Sequence, residues 1–274
     1  MPDLKIAVAG AGGHMGMATI RAIAATPGTV LAAAFDRAGT AIIGRDAGEA
    51  PGAGATGVIV TDDVAAALMA ADAVIDFTAP AASVALAKRA AQRGLVHVIG
   101  STGCSDADEA AIRAAAESGA RIVKSGNFSL GVNVLAGLVE QAARLLPGYD
   151  VEIVEMHHRR KVDAPSGTAL MLGEAAAAGR GIRLAEHAIR GRDGRTGPRP
   201  DGAIGFASLR GGTVIGDHTV VLAGDDERIE LTHRAEDRAM FAAGAVRAAL
   251  WARDRAPGLY SMADVHGFNT KGES

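Results

Sequence analysis

Short apolar runs alternate with helical patterns through the first half of the chain. LKIAVA (4–9) reads as a strand, and the apolar positions of MATIRAIAAT (17–26) recur at helical spacing. VLAAAF (30–35) reads as a second strand, a Gly-rich surface loop fills about 44–57, and VIV (58–60) suffices only for brief pairing. DVAAALMA (63–70) reads as a helix. AVIDF (73–77), VHVIG (96–100) and RIVKS (121–125) are further strands, separated by the helices SVALAKRAAQR (83–93) and DADEAAIRAAAE (106–117). The last of these has an acidic first turn, which the helix dipole favours. Strands alternating with helices of this length predict βαβ units and a parallel sheet, an α/β fold.

The pattern changes near Asn127. A helix is expected over about 130–145, and DVEIVEMHH (150–158) alternates more strictly than the earlier strands. After a helix at about 167–178 comes a polar Gly/Arg-rich connection, RGRDGRTGPRPDG (190–202), expected to be a mobile loop of the same domain. GFASLR, TVIGDHTVVLAG and ERIELTHRA follow as consecutive strands, which predicts an α+β domain on an open, partly antiparallel sheet. DRAMFAAGAVRAALWARD (237–254) reads as a final amphipathic helix with Phe241 and Trp251 facing the core.

Composition narrows the function classes. A chain of 274 residues suggests about two domains. Aromatics are only 3% and the net charge is -3, so neither a stacking surface nor a global basic field points to nucleic acid. The single cysteine, Cys104, excludes an intramolecular disulfide and a multi-cysteine metal site, and is read as incidental. MPDLKIAVAGAGG reads as a first strand and not a signal peptide. No run of about 18 apolar residues occurs, so the expectation is a cytoplasmic protein without a membrane partner.

GAGGHMG (10–16) follows a strand and opens a helix, the context that gives a glycine turn meaning. Gly10 suits the tight turn, Gly12 or Gly13 lets the backbone approach a pyrophosphate, and the helix N-terminus supplies N–H donors. Gly16 falls one residue later than in a strict G-x-G-x-x-G. Asp36, at the end of the second strand, can accept hydrogen bonds from a ribose diol. Arg37 beside it can pair with a 2′-phosphate, so NADH and NADPH both stay open. GSTG (100–103) and SGNF (125–128) end two predicted parallel strands, the edge where ligands bind in open α/β sheets.

EMHHRRKVDAPSGTA (155–169) concentrates charge before a helix. Adjacent side chains on a strand point to opposite faces, so His157 and His158 are poorly placed to share an ion, and no metal is expected. One or two of Arg159, Arg160 and Lys161 are expected to be simply solvated. Pro165 is placed in the first helical turn, with Gly167 and Thr168 offering first-turn N–H groups. With Lys161 and one or both histidines they form a cradle for a carboxylate or phosphate. Asp163 either caps the helix or orients Lys161. The phosphate-loop spacing G-x-x-x-x-G-K is absent, which argues against an NTPase. His97 reads as a core residue, and His218 and His233 as structural.

In the form E-x-H-H-x-x-K-x-D-x-P-S-G-T-A the same stretch resembles the signature of the 4-hydroxy-tetrahydrodipicolinate reductases of bacterial lysine and diaminopimelate biosynthesis. AGAGGHMG, the acid after strand two, VIDFT, VIGSTG, GNFSLGVN, IGFASLRGG, GDHTV and FAAGAVRAALW follow in the expected order, so the resemblance spans nearly the whole chain. It implies a Rossmann-type doubly wound dinucleotide-binding domain over 1–127, completed by the C-terminal helix within 237–274. It implies a second α+β domain on an open mixed sheet over 128–236, which binds a small dicarboxylate and builds a homotetramer. The implied reaction is hydride transfer from NADH or NADPH to C4 of the substrate ring after its hydroxyl has left as water. His157 and Lys161 match the proton-transfer residues, with the donor open between them. His158, Gly167 and Thr168 match substrate contacts. Gly10, Ala11, Gly12, Gly13, His14, Met15, Asp36, Arg37, Gly100, Ser101, Thr102, Ser125, Gly126, Asn127 and Phe128 match cofactor contacts. The family often carries arginine where this chain has His14, a side chain able to bind the extra phosphate of NADPH. That leaves Arg37 as the candidate for the contact. Two other readings fit less well. An amino-acid dehydrogenase gives no reason for H-H-x-x-K before P-S-G-T, and a dinucleotide sensor without turnover gives none for the intact histidines and lysine.

Overall fold

The computed structural model describes residues 2–49, 52 and 54–267. The chain divides into two compact units. One runs through Phe128 and resumes at Arg238; the other is Ser129–Asp237. The first stretch holds β1 (Leu4–Ala9), α1 (His14–Ala25), β2 (Thr29–Phe35), α2 (Val64–Met69), β3 (Ala73–Asp76), α3 (Pro80–Arg93), β4 (Val96–Ile99), α4 (Asp106–Glu117) and β5 (Arg121–Lys124). The second unit holds α5 (Leu130–Leu145), β6 (Asp150–His157), α6 (Gly167–Arg180), α7 (Leu184–His187), β7 (Ala188–Ile189), β8 (Ile204–Arg210), β9 (Asp217–Ala223) and β10 (Arg228–Arg234). The chain then returns as α8 (Ala239–Ala252), β11 (Gly258–Tyr260) and α9 (Met262–Val265). Of the C-terminal segment expected over 237–274, residues 268–274 lie outside the described residues.

The first unit is doubly wound. Its sheet runs β11-β5-β4-β3-β1-β2, with parallel pairing throughout. The period-2 alternation of each strand sends residues to two separate apolar layers. Leu4, Ile6, Val8, Ile75 and Val98 pack with Ile20 and Ile23 of α1 and with Ala245, Val246 and Ala249 of α8. Ala7, Ala9, Val74 and Ile99 pack with α2, α3 and α4 on the opposite face. Chain order reverses between β1 and β3, the switch point where such sheets bind ligands beyond their strand ends. The 58–60 stretch contributes only the isolated bridge Asp46↔Ile59, beside Phe35↔Thr61. The strand β11 extends the sheet beside β5 and has no counterpart among the expected elements.

In the second unit the order is β10-β9-β6-β8-β7. β6 pairs antiparallel with β9 and parallel with β8, so the sheet is mixed. Val151 and Ile153 of β6, with Ile204, Phe206, Val220 and Leu222, face α5 and α6. Glu155 and His157 continue that face by the same alternation and are buried at its end. The 190–202 connection, a loop of the second unit as expected, bonds to β6 through two arginines. Arg192 makes a bidentate pair with Glu152 at 2.9 and 2.8 Å. Arg199 bonds Asp150 Oδ1 at 2.7 Å, Glu152 Oε1 at 3.0 Å and the Val151 carbonyl at 3.1 Å. Two planar guanidinium forks thus fasten the loop to the start of β6.

Candidate active site

In the first unit, β1 ends at Ala9 and the chain turns at Gly10 with φ +68°, a conformation glycine adopts without steric cost. Gly13 N–H donates to the Gly10 carbonyl at 2.9 Å and α1 begins at His14. Gly16 is required by packing. A Cβ there would lie 2.1 Å from the Gly10 carbonyl oxygen, so only glycine lets α1 rest on the turn. Asp36 holds the turn from the side: its Oδ2 accepts from Gly12 N–H at 2.8 Å, and its Oδ1 from Arg37 N–H at 2.7 Å. Gly12, Gly13, His14 and Arg37 are exposed, whereas Ala11 is fully buried and Met15 half-buried. A cavity of about 940 Å³ opens here, bounded by Gly10, Gly12, Gly13, Asp36, Arg37, Thr78 and Arg89 among others. Its size suits a cofactor site. Exposed glycines before a helix N-terminus, an acid at the end of β2 and an exposed arginine beside it have the chemistry that suits a dinucleotide.

Along the same strand edge, the GSTG turn rests on a buried polar network. Ser101 Oγ lies 2.6 Å from Ser83 Oγ, which donates to Asp76 Oδ2 at 2.5 Å. Thr78 donates to Asp76 Oδ1 through Oγ at 2.5 Å and through N–H at 2.8 Å. His97 Nε2 stands 3.5 Å from Asp76 Oδ2, with both side chains fully buried. Burial alone would raise the Asp76 carboxyl, but His97, Ser83 and Thr78 outweigh it and hold it below the usual range. The Ser101 hydroxyl is thereby turned inward, while Thr102 is exposed. Ser125 Oγ donates to the Asn127 carbonyl at 2.7 Å and accepts from Asn127 N–H at 3.1 Å, closing the second turn. Phe128 is buried, edge-on to Phe77 at 5.7 Å, so only its backbone borders the strand edge.

In the second unit, chemistry gathers where β6 ends. His157 Nδ1 lies 2.5 Å from Glu155 Oε2. The Glu155 side chain is 1% exposed and takes both forks of Arg210, at 2.9 and 2.8 Å. Burial would raise the Glu155 carboxyl, but the bonds from Arg210, His157 and Ser208 pull it down to about 2. Burial pushes the His157 imidazole below its ordinary range against the pull of Glu155, and Lys161 and Arg210 push the same way. The His218 ring meets His157 edge-on at 5.1 Å, and its Nε2 is 3.0 Å from Ser166 Oγ. Burial, aided by His157, pushes His218 down to about 3. Lys161 Nζ donates to both oxygens of Asp163, at 2.7 and 2.8 Å. Ser166 caps α6 by accepting from Ala169 N–H at 3.1 Å, which leaves Gly167 at the first helical position. A Cβ on Gly167 would meet nothing within 4 Å, so the helix end faces open space. The result is a buried carboxylate–imidazole pair, an ammonium and a helix N-terminus on one strand end, fit to hold an anion and move a proton.

Residues 4–128 match the family described as Dihydrodipicolinate reductase, N-terminus, and residues 131–265 match Dihydrodipicolinate reductase, C-terminus. The chain belongs to the dihydrodipicolinate reductase family. It is 62% identical over 270 residues to a 4-hydroxy-tetrahydrodipicolinate reductase of Rhizobium rhizogenes, covering 98% of both chains. Against the Rhizobium meliloti enzyme of that name the identity is 61% over 269 residues, 97% of this chain and 98% of the other. The fold is shared with a dipicolinate-bound dihydrodipicolinate reductase from Paenisporosarcina sp. at TM-score 0.74, with 24% identity over 94% of this chain and 97% of that one.

The expected substrate contacts lie at the end of β6 and in the first turn of α6. His157 is buried and His158 half-buried, with a buried Nδ1 that has no hydrogen-bond partner among the described residues. Gly167 is exposed and Thr168 buried. Of the cation run, Arg159 and Arg160 are exposed and Lys161 alone is paired within the site. One local expectation changes, and the two alternatives for Asp163 resolve to one. Pro165 precedes the cap and is not in the first turn, because the Ser166 side chain satisfies a first-turn amide and fixes the helix start after itself. Asp163 orients Lys161 and does not cap. Sequence reasoning gave no site role to Glu155, Arg210 or His218, which join this cluster. His218 lies opposite Glu155 on β9 and Arg210 beside His157 on β8. Only the strand register, which no local pattern encodes, brings them there.

Proposed function

We infer that this chain reduces 4-hydroxy-2,3,4,5-tetrahydrodipicolinate to 2,3,4,5-tetrahydrodipicolinate with NADH or NADPH, in lysine biosynthesis through diaminopimelate. The observation that carries the residue roles is the juxtaposition, at the end of β6, of the Glu155–His157 pair, the Lys161–Asp163 pair and the open N-terminus of α6. Departure of the 4-hydroxyl as water leaves a conjugated imine. Reduction at C4 of that ring would use a hydride from a reduced nicotinamide held by the first unit. The enamine-like anion so formed takes up one proton, completing reduction of one carbon–carbon double bond. Lys161 donates this proton, since its ammonium carries one and also offsets the growing negative charge. His157, held toward its neutral form by burial, positions and polarises the substrate. The substrate's carboxylates meet His158 and the backbone N–H groups of Gly167 and Thr168. In the first unit Gly12 and Gly13 would hold the pyrophosphate, Asp36 the ribose, and Arg37 the 2′-phosphate of NADPH. Gly100, Ser101, Thr102 and Ser125 to Phe128 border the nicotinamide end, Ser101 and Phe128 through backbone atoms.

The test is a coupled assay in which the substrate forms in situ from pyruvate and aspartate semialdehyde through the preceding synthase. Loss of reduced-nicotinamide absorbance should require synthase, this protein and cofactor together. No loss with either NADH or NADPH, from protein that binds NADH, would remove the assignment. The reading includes a cytoplasmic homotetramer. In its support, the sheet face opposite α5 and α6 carries Val154, Ala207, Leu209 and Val221, with Leu209 49% exposed. Leu209→Asp should shift the assembly to smaller species in light scattering; an unchanged mass would reject that face.

A further inference from the structure

We propose that Glu155 and Arg210 are positioning residues that lock His157 in its Nδ1–H tautomer and tie the ring to the turn bearing Lys161. The argument is one of obligatory donors. Glu155 Oε1 accepts from Ser166 N–H at 3.2 Å and from Arg210 at 2.8 Å. Its Oε2 accepts from Arg210 at 2.9 Å and faces His157 Nδ1 at 2.5 Å. A guanidinium and a backbone amide can only donate, and an ionised carboxylate can only accept. His157 Nδ1 must therefore carry the hydrogen, which leaves Nε2 as the bare nitrogen of the neutral ring. The His218 ring, its Nε2 3.0 Å from Ser166 Oγ, meets the imidazole edge-on at 5.1 Å. The same guanidinium also donates to the Asp163 carbonyl at 2.7 Å. Asp163 holds the Lys161 ammonium, so one arginine sets both candidate proton-handling groups. Arg210 stands on β8 beside His157 in the parallel register, with Gly211 N–H bonded to the His157 carbonyl at 2.9 Å. The Glu155 side chain is 1% exposed, and the two residues act through His157 and Asp163. This inference rests on the reading above, in which His157 and Lys161 serve the reduction.

Imidazole-nitrogen NMR of histidine-labelled protein tests it, with the His157 signals identified by their loss in His157→Gln. At neutral pH the wild type should show His157 protonated at Nδ1 and bare at Nε2. In Glu155→Gln, Ser166 and Arg210 retain the amide oxygen at the Oε1 position, so the amide NH2 faces Nδ1 and the ring should switch to Nε2–H. That variant should lose about tenfold or more in kcat, while KM for NADH stays within roughly twofold. Arg210→Lys should lower kcat similarly, because a single ammonium cannot span both Glu155 oxygens and the Asp163 carbonyl. The double variant Glu155→Gln/Arg210→Met leaves no uncompensated buried charge and serves where a single change fails to fold. It too should lose the fixed tautomer. A wild-type His157 protonated at Nε2 would overturn the proposal, as would an unchanged tautomer with kcat within about twofold in the folded variant. A wild type without turnover would count against the reductase reading alone, since the tautomer is read independently.

Discussion

At Lys161 the ammonium bridges both oxygens of Asp163, and that carboxylate is 56% exposed, so the pair is open to exchange with an incoming anion. Lys161→Ala should lower kcat by about a hundredfold or more, the range of a lost general acid, with NADH affinity intact by fluorescence titration. Near-normal turnover would reject the role. Arg37 is exposed at the cavity, and each oxygen of the carboxylate before it accepts one backbone amide. Arg37→Ala should raise KM for NADPH more than for NADH, and equal effects would show that another group reads the phosphate. Both residues were legible in the sequence because each lies within a local motif. Arg210 and His218 were not. Their partners Glu155 and Ser166 lie 55 and 52 residues away, and such pairs exist only once β8 and β9 have found their register beside β6.

At the scale of elements, glycine and cap chemistry decide most boundaries. Ser105 and Ser129 cap α4 and α5 and fix the starts that the sequence places there. The helix at 167 starts one residue after Ser166 for the same reason, which is why Pro165 fell outside it. β11 escaped because three residues, GLY, carry no pattern of their own and pair only when β5 offers an edge. The anchoring of the Gly/Arg-rich loop was not legible, because composition does not reveal that Glu152 and Asp150 await its arginines. Gly16→Ala tests the α1 contact. A Cβ 2.1 Å from the Gly10 oxygen forces the helix off the turn, so stability should fall by about 1–3 kcal/mol. Dinucleotide affinity should fall with it. A thermal melt and an NADH titration measure both, and unchanged values would mean that the turn relaxes freely.

For the whole molecule, acid sensitivity should concentrate in the second unit. The Glu155 carboxyl is lowered from 4.5 to about 2, so its stabilisation is full above 4.5 and is lost as pH falls toward 2. His218 is lowered from 6.5 to about 3, so below 6.5 the unfolded chain takes a proton that the folded one refuses. Both act in the same direction, each pKa unit of separation being worth about 1.4 kcal/mol. Tm should therefore decline from pH 6.5 downward, and His218→Gln should flatten the decline between 6.5 and 4.5. A His218→Gln profile parallel to wild type would reject that assignment. The interruption of the first unit by the second has a consequence during synthesis. The segment through Phe128 leaves the ribosome without α8, and the layer formed by Ile6, Val8, Ile75 and Val98 lacks Ala245, Val246 and Ala249. The inserted unit is contiguous and emerges complete with its own core. It can fold first, while the N-terminal sheet presents one bare apolar face to chaperones until α8 has been made.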